Sequence, residues 1–108
     1  MWSPPNSGRE IFLILNMEDR VHIYFSGRVQ GVGFRFTARY LANKYAIKGW
    51  VANLPDGRVE LLVQGKGDEL SKFLRDLREE FADHITNFKI DKLKPEDNLD
   101  GFTIRFPY

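Results

Sequence analysis

The apolar residues of this chain recur either at every second position, as in a strand, or at every third to fourth position, as in a helix. The order in which these two patterns follow each other along the chain is compatible with very few topologies. Val21, Ile23 and Phe25 alternate with polar residues, which is typical of a half-buried strand. A stripe at helical spacing follows, formed by Phe34, Ala38, Leu41, Ala42 and Tyr45. The chain therefore predicts a strand that leads through a short loop into an amphipathic helix.

Two further strands are predicted at residues 47–53 and 59–63. Pro55 and an Asp-Gly pair lie between them, at positions that favour a tight turn. Asp68 is predicted to be the N-cap of a second helix. The buried stripe of that helix consists of Leu70, Phe73, Leu74, Leu77 and Phe81.

The end of the chain contains two more strand patterns. Phe88 and Ile90 indicate a fourth strand, residues 95–101 form a loop, and Phe102, Ile104 and Phe106 alternate in a short terminal strand. The order is strand, helix, strand, strand, helix, strand, with the terminal strand added. This order is typical of the ferredoxin-like α+β sandwich, a split βαβ fold in which two helices cover one face of a mixed sheet.

In this topology the first two strands run parallel, with the third strand between them. The loop at residues 27–35 and Asn53 then follow strand ends at the same edge of the sheet, about 10 Å apart. A gap of that width accommodates a phosphate and one water molecule.

Composition narrows the classes of function. The 108 residues fit a single domain, and a net charge of +1 gives no electrostatic reason to expect nucleic acid or a membrane surface as the partner. The absence of cysteine excludes disulfides, thiolate metal sites and cysteine nucleophiles. We expect a soluble, cytoplasmic monomer that binds no metal.

We divide the chain into an N-terminal extension, residues 1–16, and a domain, residues 17–108. Residues 1–8 include two prolines and are predicted to be disordered. The apolar run at residues 11–15 is too short for a membrane span. We expect it to dock on the domain or on a neighbouring molecule, because an exposed apolar segment of this kind promotes aggregation.

The loop before the first helix carries the chemical prediction. Residues 26–35 contain three glycines, one glutamine and two arginines. Gly33 opens the helix and Arg35 lies in its first turn, where unpaired N–H groups carry a partial positive charge. A cation is unfavourable there unless an anion binds beside it, so the loop predicts an anion site, with phosphate as the simplest ligand.

Each feature has a plainer interpretation when it is taken alone. Gly31 and Gly33 then indicate only a tight strand-to-helix turn, and Asn53 only the start of the next turn. Nucleotide-binding loops are excluded, because the loop lacks a third glycine of the dinucleotide pattern and the chain contains no Gly-Lys-Ser or Gly-Lys-Thr.

The chain resembles the acylphosphatases in two runs, GRVQGVGFR at residues 27–35 and GWVANLPDGRVE at residues 49–60. The resemblance extends over about residues 19–107. It implies hydrolysis of small-molecule acyl phosphates, with phosphate as product and inhibitor and with no metal or organic cofactor. It also implies that Arg35 binds phosphate and that Asn53 orients the attacking water. The phosphate-binding backbone that it implies comprises Gln30, Gly31, Val32, Gly33, Phe34 and Arg35.

The chemistry of an acyl phosphate agrees with these residue types. Its leaving group is a carboxylate of low pKa, so departure needs no general acid. A planar guanidinium neutralises equatorial phosphate oxygens, and a neutral amide both donates and accepts hydrogen bonds to water. The sequence offers no obvious base, so we hypothesise that the proton of water passes to a phosphate oxygen.

Two other functions stay open at this stage. An RNA-recognition domain shares the fold, but it needs paired aromatics and a basic sheet face, and the chain offers Tyr24 alone. The second is an acylphosphatase-like domain of a larger maturation or regulatory protein, which the short chain disfavours. His22 and His84 are interpreted as ordinary histidines, and the Gln30 side chain as a group that shapes the loop. The chain departs from the family at residues 79–85, where acylphosphatases often have a Gly-Pro pair.

Overall fold

The computed structural model of the protein describes residues 17–106. Its elements are β1 (Glu18–Gly27), α1 (Phe34–Lys44), β2 (Lys48–Asn53), β3 (Val59–Lys66), α2 (Gly67–Glu80), β4 (Ile85–Leu93) and β5 (Phe102–Ile104). The predicted order of strands and helices is confirmed.

The five strands form one sheet in the order β4-β1-β3-β2-β5. β3 pairs antiparallel with both β1 and β2, so these two strands run parallel to each other. β4 adds antiparallel to β1, and β5 adds parallel to β2. The ferredoxin-like α+β sandwich is therefore confirmed, and the carboxyl ends of β1 and β2 lie at the same edge of the sheet.

The core lies between the sheet and the two helices. The alternating residues of β1 point into it, and Phe25 is fully buried. Its ring centroid lies 5.1 Å from that of Phe34, which lies 4.7 Å from that of Phe81. Phe34 thus fixes the first turn of α1 against β1 and the end of α2, and the start of α1 sits at the sheet edge where β1 ends.

The prediction that Asp68 is the N-cap of α2 is wrong. The helix begins at Gly67, its N-cap is Lys66, and no side chain caps it. β3 runs directly into the helix, and the Gly67 N–H donates to the carbonyl of Met17 at 3.2 Å. This tertiary bond satisfies one helix-end donor, and Asp68 Oδ1 accepts another from the Glu69 N–H at 2.9 Å. Asp68 instead lies in the first turn, where its charge favours the helix dipole.

The connection at residues 79–85, where the chain departs from acylphosphatases, is a hydrogen-bonded turn. The N–H groups of His84 and Ile85 both donate to the Phe81 carbonyl at 2.9 Å. The predicted terminal strand is shorter than expected, since β5 ends at Ile104. Residues 1–16, for which partial disorder and docking were predicted, lie outside the described residues. Within residues 17–106, no helix combines the length and apolar character that a membrane crossing requires.

Candidate active site

The loop between β1 and α1 is exposed in its middle and anchored at both ends. Val29 is fully buried before the glycines, and Phe34 is buried after them. Gly31 and Gly33 have φ angles of +75° and +86°, in the left-handed region that glycine adopts without strain. The two buried side chains hold the ends of the loop, while residues 31–33 present their backbone to solvent.

The N-terminus of α1 has no polar side chain to satisfy it. Gly33 is its N-cap, it offers no side-chain cap, and the first turn contains no acidic residue. Arg35 lies in this turn instead. The unpaired amides and the guanidinium therefore concentrate positive charge at one end of the helix, as the sequence predicted.

The Gln30 side chain connects this loop to the turn after β2. Its Nε2 donates to the carbonyl of Leu54 at 2.8 Å and to the carbonyl of Arg58 at 2.9 Å. The turn is closed by its own bond from the Leu54 N–H to the Arg58 carbonyl, at 2.8 Å. The backbone N–H of Arg58 also donates to Asp56, which holds the pKa of that carboxyl below its usual value. Gln30 thus shapes the loop, as predicted.

Asn53 is the last residue of β2 and faces the helix side of the sheet, since it is paired with the buried Val59. Its Oδ1 is buried and accepts no hydrogen bond from any residue of the described chain. Buried polar atoms are almost always paired. An unpaired acceptor at this edge is therefore available to a water molecule or a ligand.

Arg35 is partly buried, and its guanidinium lies over the ring of Phe106, with Cζ 4.6 Å from the ring centroid. No carboxylate in residues 17–106 pairs with it. The sequence pattern predicts Phe106 only as part of the terminal strand and gives it no role at the site. The sequence feature that could have pointed to Phe106 is the apolar alternation that begins at Phe102, in which Phe106 lies two residues after Ile104.

The two histidines lie at different places, His22 on the open face of the sheet and His84 beside the start of the loop. His22 Nε2 is 2.8 Å from Glu60 Oε2 on the sheet face opposite the helices, and Tyr24 donates to the same oxygen at 3.2 Å. His84 follows α2, and its carbonyl accepts the Arg28 N–H at 3.0 Å. In the part of the chain that is described, no group of three His, Cys, Asp or Glu side chains is arranged to hold a metal ion.

Known proteins resemble this chain in sequence and in fold. The family model Acylphosphatase matches residues 21–104. An acylphosphatase from Koribacter versatilis is 36% identical over 99 residues, which cover 91% of this chain and 89% of that relative. An acylphosphatase from Trichormus variabilis is 45% identical over 71 residues, which cover 66% of this chain and 65% of that relative. The chain thus spans just under two thirds of the Trichormus protein.

The crystal structure of acylphosphatase from Bacillus subtilis superposes with a TM-score of 0.73 at 30% identity, covering 83% of this chain and all of that one. Fold and sequence together define a small α+β domain of the ferredoxin-like type. The chain belongs to the acylphosphatase family.

Proposed function

We propose that this protein hydrolyses the carboxyl-phosphate bond of small-molecule acyl phosphates, using Arg35 and the backbone amides of residues 30–35 to bind phosphate and Asn53 to orient the attacking water. The observation that carries the proposal is the buried Oδ1 of Asn53, which has no partner in the described residues. It lies at the same sheet edge as a helix N-terminus without acidic or capping side chains. Asn53 Oδ1 is an acceptor for water, and the N-terminus of α1 is a site for an anion.

The phosphate is bound by two kinds of donor. Exposed amides at the start of α1 direct N–H groups at the anion, and the helix dipole favours its charge. The guanidinium of Arg35 adds parallel donors that match two phosphate oxygens. Together they neutralise charge on the equatorial oxygens of the phosphoryl group, which is the main task in phosphoryl transfer.

The attacking water is held by Asn53. Oδ1 accepts a hydrogen bond from the water, which directs an oxygen lone pair toward phosphorus. The water oxygen bonds to phosphorus as the bond from phosphorus to the acyl oxygen breaks. The carboxylate leaves unprotonated because of its low pKa, and the proton of the water passes to a phosphoryl oxygen. No metal, cofactor or side-chain base takes part in this scheme.

Inorganic phosphate is both product and competitive inhibitor, and the protein acts as a cytoplasmic monomer, without nucleic acid or membrane. The net charge of +1 supports independence from polyanionic partners.

The test is hydrolysis of benzoyl phosphate and acetyl phosphate by the full chain, in the presence and absence of EDTA. We expect turnover that EDTA leaves unchanged and that phosphate inhibits competitively. We also expect kcat/KM to be nearly flat across neutral pH, because no proposed catalytic group titrates there. Loss of turnover in EDTA, or a bell-shaped profile near the pKa of histidine, would contradict the proposal.

A further inference from the structure

Phe106 is a largely exposed aromatic residue beside the proposed phosphate site, and the mechanism above gives it no role. Its side chain is 63% exposed. Its ring nevertheless lies against Arg35, with 4.6 Å between the ring centroid and Cζ. This mostly exposed ring therefore contacts the side chain that we propose to bind phosphate.

The fold brings Phe106 to the site through the register of β5. Phe102 pairs with Gly49, and Ile104 with Val51. The Arg105 N–H donates to the Val51 carbonyl at 2.9 Å, which keeps the chain aligned beyond the strand. Continued by two residues, this register sets Phe106 level with Asn53, on the sheet face that α1 covers.

A phosphate-binding arginine needs its direction fixed and its charge left available. A carboxylate partner would fix the direction, but it would compete with phosphate for the same N–H donors and neutralise the charge. An aromatic ring attracts the flat face of the guanidinium and leaves the N–H groups at its edge free. Within residues 17–106, Arg35 has the ring and no carboxylate.

We propose that Phe106 is a positioning residue for Arg35, and that its ring orients the guanidinium toward phosphate without occupying the donors. The inference rests on the proposed role of Arg35 in phosphate binding. Phe106 itself touches no reacting atom in this scheme.

The test compares Phe106→Leu, which removes the ring and keeps an apolar side chain, with Phe106→Tyr, which keeps the ring. The matched control is Phe36→Leu. Phe36 is also exposed, at 56%, and also lies beneath an arginine, with Arg39 Cζ 5.5 Å from its centroid, but it faces the groove between the helices. The readouts are the Kd for inorganic phosphate, kcat and KM for benzoyl phosphate, and Tm.

For Phe106→Leu we expect the phosphate Kd and KM to rise about three- to tenfold, with a smaller change in kcat, because a cation–π contact is lost. Tm should stay unchanged because the side chain is mostly exposed. Phe106→Tyr and Phe36→Leu should both keep wild-type constants. Unchanged Kd and KM in Phe106→Leu would overturn the inference, as would an equal loss in Phe106→Tyr.

A second pair of variants tests the electrostatic argument. Phe106→Glu adds a carboxylate beside Arg35 and should weaken phosphate binding more than Phe106→Gln does. The difference in phosphate affinity between the two variants should disappear as pH falls below about 4, where the carboxyl of Phe106→Glu becomes protonated. Equal phosphate affinities of the two variants at neutral pH would overturn the inference. If the wild-type protein hydrolyses no acyl phosphate, the proposed function is wrong, and the phosphate Kd series still decides the role of Phe106.

Discussion

Two polar clusters on this sheet differ in whether their members find partners within the protein. The closed cluster lies on the face away from the helices and consists of His22, Tyr24 and Glu60. His22 and Tyr24 are both hydrogen-bonded to Glu60 Oε2. The open cluster, at the end of β2 and the start of α1, consists of Arg35 and Asn53. Among the described residues, Asn53 Oδ1 has no hydrogen-bond partner, and the guanidinium of Arg35 lies over the ring of Phe106.

We interpret the closed cluster as one that serves the fold and the open cluster as one that serves a ligand. Glu60 is only 7% exposed, and two side chains bond to its Oε2, although its Oε1 has no partner among the described residues. Within residues 17–106, the guanidinium of Arg35 and Oδ1 of Asn53 have no hydrogen-bond partner, which lowers stability unless a ligand or water supplies one. Substitutions in the open cluster should therefore affect activity, and substitutions in the closed cluster should affect stability.

The largest effect is expected for Arg35→Gln. Turnover should fall by about a thousandfold or more, because the charge that stabilises the transferring phosphoryl group is lost. Without ligand, the variant should be as stable as wild type, or more stable by about 0.3–1 kcal/mol, because a cation leaves the N-terminus of α1. The measurements are steady-state kinetics, phosphate Kd and thermal unfolding.

Arg28→Gln is the matched control for Arg35→Gln, since Arg28 is an exposed arginine of the same loop. Its effect on turnover should be much smaller. Retained phosphate binding in Arg35→Gln, together with a clear loss of stability, would contradict the assignment of Arg35 to the open cluster.

Asn53→Ala should lower kcat by about a hundredfold or more, the size of effect seen when one oriented polar group is removed from an active site. The inhibition constant of phosphate should stay near the wild-type value, because the anion is bound by α1 and its loop. Asn53→Asp should lose both kcat and phosphate affinity, because its carboxylate repels the anion. A collapse of phosphate affinity in Asn53→Ala would mean that Asn53 holds the anion or the loop.

Gln30→Ala should produce a smaller, mixed effect, because the Gln30 side chain connects the two halves of the open cluster. The carbonyls of Leu54 and Arg58 each lose a donor, so stability should fall by about 1–2 kcal/mol. The loop and the end of β2 also lose their alignment, and kcat/KM should fall roughly tenfold. Gln30→Glu, which replaces the donor with an acceptor facing two carbonyls, should be worse on both measures. Full activity in Gln30→Ala would show that the two halves are held independently.

The sequence alone predicts the scaffold of the open cluster, because that scaffold depends on local patterns. The alternation around Ile23 and the helical stripe from Phe34 determine the element order, and the order places Arg35 and Asn53 at one edge. The side-chain contacts that complete the site depend on register between distant segments. Sequence patterns predicted that Gln30 shapes the loop, but not that the Leu54 carbonyl is its acceptor.

Phe106 and Asp68 both show where prediction from sequence fails. The contact of Phe106 was not predicted, and the cap predicted at Asp68 is wrong. The alternation with Phe102 is visible in the sequence, but the contact of Phe106 with Arg35 requires that β5 pair with β2. Asp68 has the residue type of an N-cap, but the helix already begins at Gly67, whose N–H donates to the carbonyl of Met17, far away in sequence. In both cases a long-range partner decides what a local pattern leaves open.

The smallest effect on activity is expected for Glu60→Ala, which breaks the closed cluster. Removal of the carboxylate leaves the His22 and Tyr24 polar atoms without their shared acceptor, and stability should fall by about 1–3 kcal/mol. One indirect connection from Glu60 to the site runs through Tyr24, whose ring lies under the guanidinium of Arg58 with Cζ 4.5 Å from the centroid. At a temperature where the variant is fully folded, kcat/KM should stay within about threefold of wild type, because no group proposed to touch substrate has moved. Chemical denaturation and benzoyl phosphate kinetics on the same preparation measure both quantities. A large loss of kcat at full folding would mean that the two clusters are coupled through the turn that carries Arg58, and the separation between a fold-stabilising and a ligand-binding cluster would be wrong.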